Sequence, residues 1–256
     1  MTYVTNFELE GRRAVVTGGS RGIGAAVSRM LHALGASVCI GYRSRKADAD
    51  ALVGELSTNG RKAIAHAADL ADASGADSLI RAATDAFGGV DILVHNAGIW
   101  PSEDLAVDAM DDARWRRTMR ENVDAMFYVS RAAARVMGDG GRIVHVASTA
   151  GQRGEAFHAD YGASKGAMIS FVKSQAIELA PRGITVNSVA PGWVDTEMCA
   201  DAFAEGGRAR IEAGIPVGRV ASPADIAFAV VALCMPGARH IVGEIVNVNG
   251  GSVLAG

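Results

Sequence analysis

The feature that most constrains this chain is an alternation of short apolar runs with longer alanine-rich stretches. Ala14–Thr17, Ser37–Ile40 and Asp91–His95 are rich in β-branched and other apolar residues, and each precedes a longer stretch with helical periodicity. Continuous apolar runs are typical of strands buried on both faces, and helices between them make the strands parallel. The alternation therefore predicts an α/β fold, with a doubly wound sheet of about seven parallel strands and helices on both faces.

The predicted elements succeed one another without a linker or a second hydrophobic core. The strands are expected at 14–17, 37–40, 62–67, 91–95, 142–147, 185–189 and 244–248, and the helices at 22–34, 47–56, 76–87, 113–137, 160–180 and from 222 onward. We therefore expect a single domain over residues 1–256. The segment from Pro191 to Gly218 has no clear periodicity, and loops of that length are often lids. A helical lid over the substrate is expected at about 195–218.

Composition and charge argue against several classes of protein. A net charge of −3 and a pI of about 6.1 do not suit nucleic-acid binding, which needs a basic face. No apolar run approaches the roughly 20 residues of a membrane span, and the first twelve residues do not read as a signal peptide. Cys39, Cys199 and Cys234 are widely spaced, and the histidines lack metal-ligand spacing. These features favour a cytoplasmic protein with reduced thiols and no metal.

A glycine-rich turn follows the first predicted strand. Residues Thr17–Gly24 read TGGSRGIG and run directly into a predicted helix. Glycines let the backbone approach a pyrophosphate closely, and the helix offers it free N–H groups and a positive dipole end. The strand before and the helix after the turn favour nucleotide binding over a simple tight turn. The fold expected is thus of the Rossmann type.

The end of the second strand bears on which dinucleotide is bound. NAD-binding domains usually carry a carboxylate there to hold the ribose 2′-hydroxyl, whereas this chain has Tyr42, Arg43 and Ser44. Arg43, or Arg21 from the glycine turn, can pair with a 2′-phosphate, and Ser44 can donate a hydrogen bond. These residues favour NADP(H). NAD(H) remains the alternative if the arginines are only solvated surface charges.

Polar residues cluster where the fifth strand ends and the following helix begins. Ser148 follows that strand, and Tyr161 and Lys165 lie four residues apart on one face of the helix. Ligands of such sheets bind beyond the carboxyl ends of the strands. Asn96–Gly98 ends the fourth strand and is expected to form the adjacent floor.

Together these segments resemble the short-chain dehydrogenase/reductase family, over nearly the whole chain from Arg12 to Gly251. The motifs that carry the resemblance are Thr17–Gly24, Asp69-Leu70, Asn96-Ala97-Gly98, Asn122, Ser148, Tyr161-x-x-x-Lys165, Pro191-Gly192 with Thr196, and Asn249-Gly250-Gly251. Several independent motifs in the right order make a specific match.

The resemblance implies catalytic roles for four residues. Tyr161 would protonate a carbonyl oxygen as hydride reaches its carbon, or remove the proton in the reverse direction. Lys165 and the oxidised nicotinamide, both positive, would lower the phenol pKa from its usual value near 10. Ser148 would hydrogen-bond the substrate oxygen. Asn122 would hold a water that links Lys165 to solvent.

The resemblance also implies a set of cofactor contacts. Asp69 and Leu70 would lie at the adenine, Lys165 at the nicotinamide ribose, and Thr196 with the Val194 backbone at the carboxamide. The residues expected to bind the cofactor are Gly18, Ser20, Arg21, Gly22, Ile23, Gly24, Tyr42, Arg43, Ser44, Asp69, Leu70, Asn96, Ala97, Gly98, Tyr161, Lys165, Pro191, Gly192, Val194 and Thr196.

Residues in loops beside the expected cleft are candidates for the substrate wall. They are Trp100, Glu155, His158, Trp193 and Met198. Their alternative roles are loop packing for the tryptophans and Met198, and solvation for Glu155 and His158. The basic run Arg114–Arg117 has acidic neighbours and is expected to be a solvated helix face.

The family resemblance implies a homotetramer of two-fold symmetry, with one interface formed by two helices and the segment 247–256 at a second interface. Alanines at 132–134 and small residues at 162, 163, 166 and 167 are expected on helix faces that a monomer would expose. Small residues of this kind permit close packing between subunits, although they also suit packing against the sheet.

Three functions remain open from the sequence. The leading one is reduction of a 3-oxoacyl thioester carried by acyl-carrier protein or coenzyme A. Arg131, Arg135 and Arg182 can contribute to a basic carrier-docking patch, but Gly138–Gly141 lacks the basic side chains that similar reductases often carry. The second is a sugar, polyol or other secondary-alcohol dehydrogenase, of the glucose 1-dehydrogenase kind. The third is a nucleotide-sensing regulator without catalysis, which would be expected to lose Tyr161 or Lys165.

Overall fold

The computed structural model describes residues 8–57 and 62–254. Residues 1–7, to which most of the signal-peptide expectation applies, lie outside the described residues. The same is true of the last two positions of the predicted interface segment 247–256.

The structure confirms the predicted sheet. Seven parallel strands are arranged in the order β3-β2-β1-β4-β5-β6-β7. The strands are β1 Arg13–Thr17, β2 Ser37–Tyr42, β3 Ala63–Ala67, β4 Ile92–His95, β5 Arg142–Val146, β6 Thr185–Pro191 and β7 Ile245–Val248. Strand order reverses between β1 and β4, which places a crevice for a ligand beyond their carboxyl ends.

Helices cover both faces of the sheet. They are α1 Gly22–Ala33, α2 Lys46–Leu56, α3 Ala73–Phe87, α4 Asp112–Met119, α5 Ala125–Val136, α6 Ala150–Arg153, α7 Ala159–Leu179, α8 Ala200–Phe203, α9 Gly207–Ala213 and α10 Pro223–Cys234. One core packs α1 and α10 on the sheet through residues such as Leu31 and Val230, and the other packs α3, α5 and α7 through Leu79, Val129 and Val172. Successive strand residues therefore point into different cores.

Two regions differ in detail from the prediction. The helix expected at 113–137 is interrupted by a π-helical turn, Arg120–Asp124, between α4 and α5. Such turns insert one extra residue into a helix and are frequent at functional sites. The segment predicted as a lid contains a 3₁₀ turn at Glu197–Cys199 followed by α8 and α9.

The expectation that small residues face outward is wrong at three positions. Ala132 and Ala133 are 4% and 0% exposed and pack in the core beside α3, and Gly162 is buried as well. Small side chains here let α5 approach the sheet and the neighbouring helix within one chain. Ala163 and Ala167 on α7 are exposed, as expected.

Within the described residues, no helix is long and apolar enough to span a membrane. No three His, Cys, Asp or Glu side chains in that part of the chain are placed to share a metal ion. Cys39 and Cys234 are buried free thiols, and burial raises the pKa of each to about 12.

Candidate active site

The glycine turn is shaped so that its backbone lies close to neighbouring segments. Gly18 and Gly22 have φ of +59° and +52°, a region that favours glycine. A Cβ at Gly24 would lie 2.2 Å from the Gly18 carbonyl oxygen. The N-cap residue of α1, Arg21, makes no side-chain cap hydrogen bond, so its side chain does not satisfy the first N–H groups of the helix. This end of α1 has the properties of an anion site.

The turn is joined to the end of β4 by hydrogen bonds. The Thr17 hydroxyl oxygen accepts from the backbone N–H groups of Asn96 and Ala97, both at 3.0 Å. The Asn96 amide donates to the carbonyl oxygens of Thr17 and Gly18 at 3.2 and 3.1 Å. These bonds fix the floor of the cleft, as predicted for Asn96–Gly98.

Three arginines surround the cleft where β2 ends. Arg21, Arg43 and Arg45 all line it, and each is about half exposed. Arg43 pairs with Glu121 of the π-helical turn, and Arg21 and Arg45 pair with Glu197. The region is therefore basic, but in this structure its cations are partly neutralised by carboxylates from distant segments.

Ser148, Tyr161 and Lys165 converge at the carboxyl end of β5. The Lys165 ammonium donates to the Val146 carbonyl oxygen at 2.9 Å and lies 5.7 Å from the centre of the Tyr161 ring. The Ser148 hydroxyl oxygen accepts from the Ala150 N–H at 3.1 Å. Burial lowers the pKa of Lys165 to about 8. All three predicted residues line one cavity.

The phenol of Tyr161 differs from the expectation in its electrostatics. Burial raises its pKa above the ordinary value, and a hydrogen bond with Ser148 opposes only part of that rise. In this structure the ring is therefore a protonated acid, as a carbonyl reduction needs. The lowering of its pKa by Lys165 and an oxidised nicotinamide remains a prediction for the cofactor-bound protein.

Asn122 lies in the π-helical turn, fully buried. Its side-chain oxygen accepts from the Ile99 N–H at 2.7 Å, and its amide donates to the Ile99 carbonyl and the Ser164 hydroxyl, both at 3.0 Å. A Cβ at Gly98 would lie 3.0 Å from the Asn122 side-chain oxygen and 3.7 Å from the Lys165 nitrogen. Asn122 thus lies close to Lys165, but both hydrogens of its amide are used within the protein.

The start of α7 is anchored by a residue that the sequence did not single out. Asp160 is fully buried and accepts hydrogen bonds from the Thr118 hydroxyl at 2.6 Å and from Arg114 at 3.3 Å. The expectation of a solvated face is wrong for Arg114, whose side chain is only 12% exposed. Its partner lies on another helix, a relationship that helix patterning does not reveal. These bonds hold α7, and with it Tyr161, against α4.

The cleft between the glycine turn and the end of β2 is called the dinucleotide cleft below. A second cavity of about 390 Å³ adjoins it. Both cavities are lined by Ile23, Asn96, Gly98, Ile99, Thr196 and Met198. Trp100 and Trp193 form one wall, with ring centroids 5.8 Å apart in a T-shaped arrangement. Phe203 of α8 packs on Trp193 at 5.9 Å. A bound dinucleotide and a second molecule would therefore meet beside Ser148 and Tyr161.

Comparison with known proteins identifies the family. The family model described as "Enoyl-(Acyl carrier protein) reductase" matches residues 18–252. The 3-oxoacyl-[acyl-carrier-protein] reductase FabG of Vibrio cholerae is 41% identical over 245 residues, which cover 95% of this chain and 98% of that protein. The chain belongs to the short-chain dehydrogenase/reductase family. It is accordingly an oxidoreductase acting on CH–OH or carbonyl groups, with an NAD(P)-binding fold.

Solved structures of family members agree closely with this one. A short-chain dehydrogenase from Burkholderia cenocepacia in complex with NADP has a TM-score of 0.90 at 40% identity, covering 96% of this chain and 99% of that chain. A Brucella melitensis protein titled "Short-chain dehydrogenase/reductase SDR:Glucose/ribitol dehydrogenase" has a TM-score of 0.91 at 35% identity, covering 98% and 100%.

Most of the residues predicted to bind the cofactor line the dinucleotide cleft of this protein. They are Gly18, Ser20, Arg21, Gly22, Ile23, Tyr42, Arg43, Ser44, Asp69, Leu70, Asn96, Ala97, Gly98 and Thr196. Five others, namely Tyr161, Lys165, Pro191, Gly192 and Val194, line the adjoining cavity instead. Gly24 lines neither, because it packs against the turn itself.

Four of the five predicted substrate residues line the second cavity: Trp100, Glu155, Trp193 and Met198. His158 does not line it, since it is buried behind Trp100, with which it stacks at 4.8 Å. Glu155 is mostly buried rather than solvated, and burial raises its pKa.

Several cavity residues escaped the sequence reasoning. Arg45, Glu121 and Glu197 line the dinucleotide cleft, and Arg153 and Arg210 line the second cavity. The sequence could have identified Arg45, because it directly follows Arg43 and Ser44 at the end of β2. The other four lie in short helical segments, in which the sequence does not indicate which side faces a cavity.

Proposed function

We propose that this protein is an NADP(H)-dependent reductase of 3-oxoacyl thioesters. The observation that carries the proposal is the placement of Ser148, Tyr161 and Lys165 in a cavity that opens into the dinucleotide cleft. That arrangement brings an acid and a hydrogen-bonding hydroxyl to the place where a hydride donor and a carbonyl would meet.

The residues present fit a dinucleotide. A side chain at Gly24 would collide with the Gly18 carbonyl oxygen, and one at Gly18 would crowd Ala97 and Asn96. The turn therefore requires glycines, which let a pyrophosphate approach the backbone closely. Gly22 lies against Thr196, where a Cβ would be 3.3 Å from the threonine methyl group. Arg21 to Ile23 would hold the pyrophosphate, and Thr196 with Val194 the carboxamide. When bound, the cofactor supplies the hydride.

In this proposal the protein's own groups handle the proton and the developing charge. Ser148 would donate a hydrogen bond to the substrate oxygen as negative charge grows there. Tyr161 would transfer its phenolic proton to that oxygen. Lys165, held by the Val146 carbonyl, would stabilise the phenolate that remains. Asn122 would fix the loop at Ile99 beside Lys165, since its side-chain oxygen and amide bond there and to Ser164.

The choice of NADP(H) over NAD(H) is supported by charge at the end of β2. Arg21, Arg43 and Arg45 line the cleft there, and β2 itself ends without a carboxylate. A 2′-phosphate is a strong acceptor for guanidinium groups. The Burkholderia cenocepacia relative adds support, because its structure is very similar in shape and is of a complex with NADP.

The choice of an acyl thioester is supported by the relatives and by the shape of the second cavity. The Vibrio cholerae relative carries the name 3-oxoacyl-[acyl-carrier-protein] reductase. Aromatic residues form one wall of the cavity, and Arg153 and Arg210 also line it. An apolar acyl group beside an anionic carrier phosphate would satisfy both features.

A sugar or polyol dehydrogenase is the second candidate, and Glu155 favours it. This carboxylate lines the second cavity, where it can accept hydrogen bonds from substrate hydroxyl groups beside an aromatic wall. The Brucella melitensis relative is titled as a glucose/ribitol dehydrogenase. Catalytic residues serve both reactions equally, so they do not discriminate between the candidates.

The homotetramer is part of the proposal. Phe127 and Val136 on α5 are 41% and 45% exposed, and Ile177 on α7 is 74% exposed. Apolar side chains on these two helices suit a helix-to-helix interface between subunits. Light scattering of the purified protein should give four times the mass of one chain, and a monomer would contradict this part.

The experiment that tests the substrate is a comparison under matched conditions. The purified protein is given NADPH with acetoacetyl-coenzyme A, and separately NADP⁺ with glucose or ribitol, while the nicotinamide absorbance is followed. The proposal expects kcat/KM to be highest for the thioester. Oxidation of the sugars with no thioester reduction would overturn it in favour of the second candidate.

The experiment that tests the acid is Tyr161→Phe. We expect loss of turnover by at least about 10²-fold, the size of effect that acid–base groups contribute, with NADPH affinity largely kept. Tyr128→Phe is the matched control, since Tyr128 on α5 lines neither cavity. Turnover retained in Tyr161→Phe would remove the assignment. Loss of cofactor binding together with turnover would indicate a structural role instead.

A further inference from the structure

Glu197 connects the dinucleotide cleft with the lid. It is the first residue of the 3₁₀ turn Glu197–Cys199, from which the chain continues directly into α8. Its carboxylate pairs with Arg21 of the glycine turn and accepts a hydrogen bond from Arg45, the N-cap residue of α2, at 3.2 Å. These pairs join segments 176 and 152 positions apart, and all three residues line the cleft.

Both ion pairs are exposed enough for another anion to replace them. Glu197 is 62% exposed, while Arg21 and Arg45 are 49% and 54% exposed. Pairs of this kind contribute little to folding stability and are screened by salt. The third arginine, Arg43, is held by Glu121, which also interacts with Arg120 at 3.4 Å. The three cations at the end of β2 are thus each paired with a carboxylate of the protein itself.

We propose that Glu197 is an internal competitor for the cofactor's 2′-phosphate, and that its displacement releases the start of the lid. This inference rests on the proposed use of NADP(H). A phosphate carries up to two negative charges and three acceptor oxygens, so it can take both guanidinium groups from a single carboxylate. A ribose 2′-hydroxyl has no charge with which to do so. Glu197 therefore determines how strongly the protein responds to the phosphate that distinguishes the two cofactors.

The position of Glu197 links this exchange to the substrate cavity. Met198, the next residue, lines both cavities. Farther along the same segment, Phe203 of α8 packs on Trp193 at 5.9 Å, and Trp193 packs on Trp100 in the substrate wall. Release of Glu197 would free the N-terminal end of this segment while its aromatic contacts remain. Binding of a 2′-phosphate and loosening of the start of this segment are then coupled, and such coupling is reciprocal.

Glu197→Gln tests the competition with probes that lack the nicotinamide. Adenosine 2′,5′-bisphosphate and adenosine 5′-monophosphate differ only in the 2′-phosphate, and their Kd values are measured by calorimetry for the native and variant proteins. We expect the bisphosphate to bind about three- to fivefold more tightly to the variant, the change that loss of two exposed pairs allows. Binding of the monophosphate should change less than twofold.

Glu205→Gln is the matched control, because Glu205 is an exposed carboxylate in the same segment and lines neither cavity. It should leave both Kd values unchanged. An equal gain for both nucleotides in Glu197→Gln would mean that Glu197 acts on the shared 5′-phosphate, and no gain would mean that it does not compete; either result overturns the inference.

Hydrogen exchange of residues 197–203 tests the coupling to the lid. In the native protein, the bisphosphate should speed exchange in this segment more than the monophosphate does. In free Glu197→Gln, exchange should already be fast and should respond little to the bisphosphate. A segment that responds identically in both proteins overturns the coupling. The Kd values and the exchange rates are measured independently of activity. A native protein that prefers NADH or does not reduce thioesters would therefore refute the proposed function without deciding the role of Glu197.

Discussion

The imidazole rings of His95 and His145 lie next to each other inside the protein, with centroids 5.5 Å apart. The two residues are paired in register on β4 and β5, and both are fully buried. His145 shares a hydrogen bond with Gln175 at 3.2 Å, whereas neither ring nitrogen of His95 has a protein partner among the described residues. Burial is the main cause that lowers the pKa values of both histidines, and the Lys165 cation lowers them further. The pKa of His145 is lowered to about 4.

This pair predicts a loss of stability in mild acid. The folded pKa values lie below the unfolded value of about 6.5, so the unfolded chain binds protons first as pH falls. Stability is therefore fully present above about pH 6.5 and declines below it, by about 1.4 kcal/mol per pH unit for each histidine until the folded pKa is reached. Urea unfolding between pH 7 and 4.5 should show this slope.

The double variant His95→Asn and His145→Asn should unfold with a flatter pH dependence over the same range, even where its stability at pH 7 is lower. Single variants should each remove about half of the slope. His240→Asn is the control, because His240 is exposed, and it should follow the native curve. A double variant with an unaltered slope would show that other groups cause the acid sensitivity.

A second prediction concerns the closeness of the glycine turn. In Gly24→Ala the new Cβ would meet the Gly18 carbonyl oxygen at 2.2 Å and the Asn96 amide nitrogen at 2.7 Å. Since the first of these is backbone, the turn must move. We expect destabilisation of about 1–3 kcal/mol, as overpacking typically costs, and NADPH affinity reduced by at least about tenfold, which a shift of 1.4 kcal/mol produces.

Gly54→Ala is the matched control for Gly24→Ala. Gly54 also lies in a helix, α2, but a Cβ there would meet no atom of the described residues within 4 Å. Replacing an open helical glycine by alanine should stabilise the protein by about 0.5–1 kcal/mol and leave NADPH affinity unchanged. Similar affinity losses in both variants would indicate a general effect of helix glycines rather than crowding of the turn.

The sequence predicted the sheet well because its signal is local. Each strand was expected within one or two residues of its observed bounds, and all seven were found. The long helix was predicted without its interruption, since the π-helical turn at Arg120–Asp124 contains no glycine or proline that would mark it. The helices of the lid were only expected as a region, because α8 and α9 span four and seven residues, too few for a periodicity.

The part of the candidate site that lies at a strand end or at the start of the following helix was predictable. Ser148, Tyr161 and Lys165 line one cavity, as their places after β5 and along α7 indicated. Partners that meet only in three dimensions were not predictable. Arg21 and Glu197 are 176 positions apart, and Arg114 reaches Asp160 from a different helix. Local patterns carry no information on such pairs, so arginines that looked solvated or free are in fact paired.

A third prediction concerns the pH dependence of turnover. Burial lowers the pKa of Lys165 to about 8 in the free protein. Its ammonium form is present below that pH and is lost as pH rises through it, and with it the cation that would stabilise the Tyr161 phenolate. The kcat/KM for carbonyl reduction should therefore decline above pH 8. Lys165→Met should lower kcat/KM by about 10²–10⁴-fold and remove this transition from the residual activity. A native profile that stays flat from pH 7 to 9.5 would contradict the assignment.

A fourth prediction addresses the substrate's charge through Arg153 and Arg210. Both are exposed and line the second cavity, and no carboxylate of the described residues lies within 4.0 Å of either guanidinium. Arg153 interacts with the Glu155 carboxylate at longer range, so the two arginines leave this side of the cavity with a net positive charge. That charge favours a substrate with an anionic group, such as the phosphates of coenzyme A. Arg153→Ala with Arg210→Ala should raise KM for acetoacetyl-coenzyme A by about tenfold, a change of about 1.4 kcal/mol.

The same pair of substitutions should leave KM for the uncharged ethyl acetoacetate within about twofold. The arginines would bind only the anionic group, and ethyl acetoacetate has none to lose. Replacing both arginines by lysine keeps the charge and should restore much of the thioester affinity. Arg239→Ala, which removes an exposed arginine that lines neither cavity, serves as the control for net charge. Equal KM increases for the charged and the neutral substrate would show that the arginines shape the cavity instead of binding an anion, and the case for a phosphate-bearing carrier would then rest on the relatives alone.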